Sequence, residues 1–153
     1  MARDKRNRQK GRREGTHLGI GHHVIRSQEF GAIPAWPLKL LIEMASAYNG
    51  ANNGDMSAAF SVLRNRGWRS PGTLSAALRW LQHHGWIIRT RTGNKNRCAL
   101  YAVTWWAIDD CPKKGLEIAP EATPRNTWKT KIVVATCSNV VATCSSQRSE
   151  GPK

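Results

Sequence analysis

Between Asp55 and Asp109 the chain holds no acidic residue, yet Arg64, Arg66, Arg69, Arg79, Arg89, Arg91, Lys95 and Arg97 all fall inside that interval. Cations at this density repel one another, and a polyanion such as a nucleic-acid backbone is the natural counter-charge. Such side chains would neutralise phosphates, and a helical arginine would also hydrogen-bond two acceptors of one base. General acid–base catalysis has no carboxylate to draw on in this interval. No nucleophile–base pair, phosphate loop or metal-ligand spacing accompanies the cations, so the expectation is a protein that is not an enzyme and uses no cofactor. His22-His23 lacks ligand partners at metal-site spacing, and Cys98 and Cys111 stand too far apart for zinc.

The whole chain has 153 residues and a formal net charge of +14. Residues 1–15 supply seven of the cations (Arg3, Lys5, Arg6, Arg8, Lys10, Arg12 and Arg13) against Asp4 and Glu14. With almost nothing apolar to bury, this stretch is expected to be a disordered basic arm. No apolar run is long enough to span a bilayer and no secretory signal is present, so a cytoplasmic protein is expected. Four cysteines without close pairing give no disulfide framework.

The elements that must position the cations follow from periodicity. Residues 16–34 read as a lead-in loop. A first helix is expected over 36–48, with Pro37 at its first position and Leu38, Leu41, Ile42, Ala45 and Tyr48 on one stripe. A very short strand fits near 55–57. A second helix over 58–66 would take Asp55 or Ser57 as N-cap and turn Ala59, Phe60 and Leu63 inward. After the tight turn Gly67-Trp68-Arg69, Ser70 and Pro71 open a third helix that stops at Gly85. Its buried stripe would be Leu74, Ala77, Leu78 and Leu81. Two β-rich segments, 86–92 and 97–105, flank Gly93-Asn94-Lys95-Asn96, which is hairpin chemistry. Trp36, Trp68, Trp86, Trp105 and Trp106 are expected in the core or at its edge, Trp68 against the first helix. Trp128 and Ile118 are candidates to pack back. Residues 133–139 and 140–146 form a near-direct repeat, VVATCSN then VVATCSS, with one cysteine in each copy.

Three helices with a tight turn between the second and third, then a hairpin, make an α+β winged helix-turn-helix. The stretch SPGTLSAALRWLQHHGWI over 70–87 resembles the recognition-helix signature of bacterial winged-helix DNA-binding proteins. GWRSPGTLSAAL, GWIIRTRTGNKNRCALYAVTW and the trailing IDDC are similar to small winged-helix proteins of phages, plasmids and genomic islands. The likeness covers roughly residues 36–110. It departs at the second helix, whose following turn is one residue longer than the commonest pattern. The expected organisation is an arm over 1–15, a lead-in over 16–34, a winged-helix domain over 35–110, and a flexible extended tail over 111–153 carrying the VVATCS repeat.

Within that frame Thr73, Ala76, Arg79 and His83 lie away from the buried stripe of the third helix and are the base-facing candidates. Arg64, Arg66, Arg69 and Ser70 flank the turn and would meet the DNA backbone. Arg89, Arg91, Lys95 and Arg97 belong to the wing, with Arg89 and Arg91 on one face if the strand keeps period two. The expected function is sequence-specific binding of double-stranded DNA by a transcriptional regulator or replication accessory protein of a mobile element. The expected location is the bacterial cytoplasm in association with the nucleoid, with a second copy of the chain (a homodimer) as the further candidate partner and no membrane or small-molecule substrate expected. The alternatives are an RNA-binding structural protein of ribosomal type and a protein-interaction module.

Overall fold

Apolar residues at helical spacing and two β-branched segments build one α+β unit in the computed structural model, which describes residues 18–130. Five helices and a three-stranded antiparallel sheet make it up. Short α1 (His22–Ile25) and α2 (Gln28–Gly31) come first. Next in order are α3 (Ala35–Ser46), β1 (Met56–Ser57), α4 (Phe60–Leu63), α5 (Pro71–His83), β2 (Ile87–Arg91) and β3 (Leu100–Val103).

The expected lead-in loop is thus partly helical. The Ser27 hydroxyl accepts from the Phe30 N–H at 3.1 Å and caps α2, while Val24 and Ile33 enter the core. A serine cap and two isolated apolar residues are too sparse to show a period, which is why pattern reading misses them.

Helix α3 starts at Ala35 after Pro34, so Pro37 is its third residue. That position is still in the first turn, where a missing N–H breaks no intrahelical bond. Its buried face is Pro37, Leu40, Leu41, Met44 and Ala45, rotated from the expected stripe. Leu38 and Tyr48 pack only partly against the core. Apolar residues cover more than half of this helix, so its neighbours choose the register.

The second predicted helix is shorter than expected. Only Phe60–Leu63 is α-helical, and Arg64–Arg66 tightens into a 3₁₀ turn. Neither Asp55 nor Ser57 caps it: Ala59 holds the cap position, Asp55 pairs with Lys114 at 2.8 Å, and the Ser57 hydroxyl accepts from the Ala59 N–H. Leu63 is buried, Ala59 and Phe60 are half-buried, and Val62 is exposed. Gly67 ends the turn at φ 93°, a left-handed conformation that favours glycine.

Helix α5 matches its pattern closely. Leu74, Ala77 and Leu81 are buried and Leu78 half-buried, against α3 on one side and β2 on the other. Each buried leucine contributes about 1.5–3 kcal/mol. Ser70 holds the cap position and Pro71 the first helical position, but the Ser70 side chain makes no capping bond.

Strand β3 lies between β1 and β2. Met56 pairs with Tyr101, and Ile87 with Val103. Buried Asn53 ties the end of β3 to residues 106–107. Its Oδ1 accepts from the Val103 N–H at 2.8 Å, and its Nδ2 donates among the carbonyls of Val103, Trp106 and Ala107.

The domain does not end near residue 110. Residues 107–130, which take in the first half of the expected tail, fold back as a strap. Asp109 accepts from the Asn53 N–H at 2.8 Å, and the Glu117 N–H reaches the Thr90 carbonyl at 2.8 Å. The Trp128 ring stacks on Trp86 with centroids 5.0 Å apart and planes 6° apart. Beside it the Thr127 hydroxyl donates to the Gly85 carbonyl. A Cβ on Gly85, whose φ is +75°, would come within 2.7 Å of the Thr127 carbonyl oxygen, so this close approach requires glycine. Of the two residues expected to pack back, Trp128 is buried and Ile118 half-buried, and Ile108 joins them in the core; the polar, proline-broken stretch between has no period from which its path could be read. The basic arm and the VVATCS repeat lie outside the described residues.

Candidate nucleic-acid interface

The turn before α5 is built around one ring. Trp68 is buried, and its indole N–H donates to Glu43 Oε2 at 2.7 Å. Glu43 also pairs with Lys39 one helical turn earlier. Lys39 donates to the Arg66 carbonyl at 2.9 Å and sits 5.4 Å from the centre of the Trp68 ring. This bracket from α3 holds the backbone of the turn, and Arg64, Arg66 and Arg69 stand exposed around it. Sequence reasoning misses Glu43 and Lys39: their i, i+4 spacing is visible, but their partner Trp68 lies 25 residues beyond Glu43.

The outward face of α5 carries Gly72, Ser75, Ala76, Arg79 and His83, all exposed. Three of the four expected base-facing residues are therefore on it, and Thr73 is half-buried at its margin. Ser75 is the addition, legible from its position four residues before Arg79. At the C-terminal end the His84 ring stacks on Trp80 at 3.8 Å, and its Nδ1 donates to the Trp80 carbonyl at 2.9 Å. His83 meets His84 edge-on.

In the hairpin, Arg89, Lys95 and Arg97 are exposed, and Arg91 is half-buried. The expectation that Arg89 and Arg91 share a face fails. A bulge between them pairs Arg89 with Tyr101 and Arg91 with Leu100, adjacent residues of β3 that face opposite ways. Arg91 turns to backbone instead, donating to the carbonyls of Lys114 and Cys98. At the tip, Asn94 N donates to the Arg97 carbonyl at 2.8 Å, and Asn94 Oδ1 accepts from the N–H groups of Asn96 and Arg97. Lys95 thus sits in a closed turn.

Among the described residues the ion pairs are Lys39–Glu43, Lys114–Asp55 and Arg125–Glu121. None involves a cation between Arg64 and Arg97. The Glu117 carboxyl is held below its usual range by hydrogen bonds from Thr92, with Arg89 and Arg91 adding attraction. Burial pushes the Tyr101 hydroxyl up, with Arg89 opposing. Burial, then Asp55, Asp109 and Asp110, push the Cys111 thiol up, so it stays protonated and is a poor nucleophile. No three His, Cys, Asp or Glu side chains gather as a metal site among the described residues.

Four of the seven tryptophans are core residues, and Trp80 is half-buried. Trp68, Trp86, Trp105 and Trp128 are buried and Trp106 is half-buried, whereas Trp36, expected at the core or its edge, is 51% exposed against Trp68. No helix of the described residues is long and apolar enough to cross a membrane. No family model matches the chain, and neither a curated protein nor a solved structure matches it significantly.

Proposed function

We propose that the protein binds duplex DNA, with α5 as the groove-entering helix of a winged helix and the β2–β3 hairpin as the wing. One observation carries this reading. Seven exposed cations, Arg64, Arg66, Arg69, Arg79, Arg89, Lys95 and Arg97, occupy the turn, α5 and hairpin without a carboxylate partner among the described residues. The order helix, short strand, helix, helix and hairpin, with β3 between β1 and β2, fits the same reading.

Each part has a physical role. Gly72, Ser75 and Ala76 are small, so the N-terminal half of α5 approaches base edges closely. Arg79 is the long side chain on that face, and its planar fork matches guanine O6 and N7. Because the Ser70 side chain does not cap, the Gly72 and Thr73 N–H groups are available to a phosphate. Arg64, Arg66 and Arg69 meet the backbone on one flank, and Arg89, Lys95 and Arg97 on the other. The proposed biological role is regulation of transcription, or assistance to replication, on a mobile element.

A platform for single strands needs exposed aromatic faces. Trp36 alone among the seven tryptophans is exposed, and one ring makes no stacking platform, which favours duplex over single-stranded nucleic acid. Fluorescence anisotropy against a randomised DNA duplex pool and a structured RNA at matched salt tests the reading. Duplex DNA binds more tightly, one family of sequences is enriched, and affinity falls about 1000-fold or more between 50 and 200 mM salt if six or more phosphates are contacted. Preference for the RNA, or salt-independent affinity, overturns it.

A further inference from the structure

The strap over 107–130 has no part in the proposed DNA contacts, yet it grips the wing at its base. Three interactions meet there. The Glu117 N–H donates to the Thr90 carbonyl at 2.8 Å. The Glu117 carboxylate accepts from the Thr92 N–H at 2.8 Å and from the Thr92 hydroxyl at 3.0 Å. The Arg91 guanidinium donates to the Lys114 carbonyl and, at 3.0 Å, to that of Cys98 on the returning limb of the hairpin.

The strap is itself anchored on both sides of this grip. Before it, Asp109 is bonded to Asn53, and Lys114 to Asp55. After it, Trp128 is buried on Trp86. Beyond the grip the wing has no support of this kind among the described residues: residues 93–97 are all exposed. Bonds within the turn fix the local shape of the tip but not its direction. A two-stranded hairpin without packing is marginal in water, and a tip free to swing must be ordered when it binds.

We propose that the strap is a brace for the wing, with Glu117 and Arg91 as positioning residues that hold Lys95 and Arg97 at a fixed angle for duplex DNA. This rests on the DNA-binding reading. It also explains why Glu117 stands beside two arginines of an otherwise cationic surface: the carboxylate is spent on Thr92.

A double-mutant cycle on the full chain tests the brace. Lys95→Ala/Arg97→Ala is measured in the native background and in Glu117→Ala, with affinity for duplex DNA as the readout. The tip substitution costs less in the Glu117→Ala background, by about threefold or more, as for residues coupled through shared structure. Glu117→Gln, which keeps an oxygen for the Thr92 N–H, restores most of the difference. Hydrogen exchange at the Thr92 amide speeds up in Glu117→Ala, while the near-ultraviolet signal of the Trp86–Trp128 stack is unchanged. An equal cost in both backgrounds overturns the brace and leaves DNA binding standing. So does a uniform rise in affinity, the mark of a carboxylate that merely repels phosphate. A tip substitution that costs nothing in the native background overturns the wing's role in binding, and the brace with it.

Discussion

Residues 56–108 and residues 109–130 handle charge in opposite ways. The first stretch has eight cations and no acid. Seven of them are exposed, and none belongs to an ion pair among the described residues. The second stretch has four cations, Lys113, Lys114, Arg125 and Lys129, and four acids, Asp109, Asp110, Glu117 and Glu121. Six of the eight are engaged within the fold: Arg125 on Glu121, Lys114 on Asp55, Glu117 on Thr92, Asp109 on Asn53, and Lys129 near the Trp128 ring. A segment that satisfies its own charges works as structure. A folded segment that leaves them open is suited to a partner that brings the opposite sign.

The largest expected effect comes from emptying the open set. Arg64→Ala/Arg66→Ala/Arg69→Ala lowers affinity for every duplex about 100-fold at 0.15 M salt and reduces the slope of log affinity against log salt by about 3, read by anisotropy across a salt series. An unchanged slope would erase the contrast between the two stretches.

Arg79→Ala sharpens the contrast within the first stretch. It costs about 1–3 kcal/mol at one base-pair position and relaxes preference there, in a randomised-duplex selection. Uniform weakening on all sequences would instead make Arg79 a phosphate contact.

Charge removal in the second stretch has little effect. Arg125→Ala changes unfolding free energy by no more than about 1 kcal/mol, because its pair with Glu121 is solvent-exposed. Its DNA affinity stays within about twofold, by the same titration. A large loss of binding would place the strap in the interface.

The smallest effect is a pH dependence of the strap. Glu117 and Glu121 are both held below the ordinary glutamate value of 4.5, chiefly by hydrogen bonds from Thr92 and Arg125. Their contribution is therefore complete above that value and is lost as pH falls through the lowered one. Amide exchange at Thr92, corrected for the intrinsic pH dependence of exchange, accelerates below pH 4.5 before global unfolding. Protection that is constant through that range contradicts the Glu117 contact.

Most of what positions the open cations was legible. Helix α5 begins at Pro71 as its residues require, and its apolar stripe is nearly the one expected. The hairpin lies where β-branched runs flank Gly93-Asn94-Lys95-Asn96. Both are local: periodicity and turn chemistry act over a few residues. Less legible was whatever depends on a distant partner. The α3 register was chosen by neighbours because its apolar arc is wide. The bulge that sends Arg91 toward Lys114 and Cys98 breaks a period that sequence reading takes for granted.

By itself the sequence determined the α+β character, the third helix and its outward face, the hairpin, and the separation of unopposed cations from mixed charge. These depend on side-chain type and short-range spacing. Tertiary structure alone decided that Asn53 is a buried hub, that Trp68 anchors the arginine-bearing turn through Glu43, and that residues 107–130 close over the base of the wing. The physical reason is the same in each case. A buried polar group or a lone aromatic ring is stabilised by partners tens of residues away, and no local pattern in the chain records them.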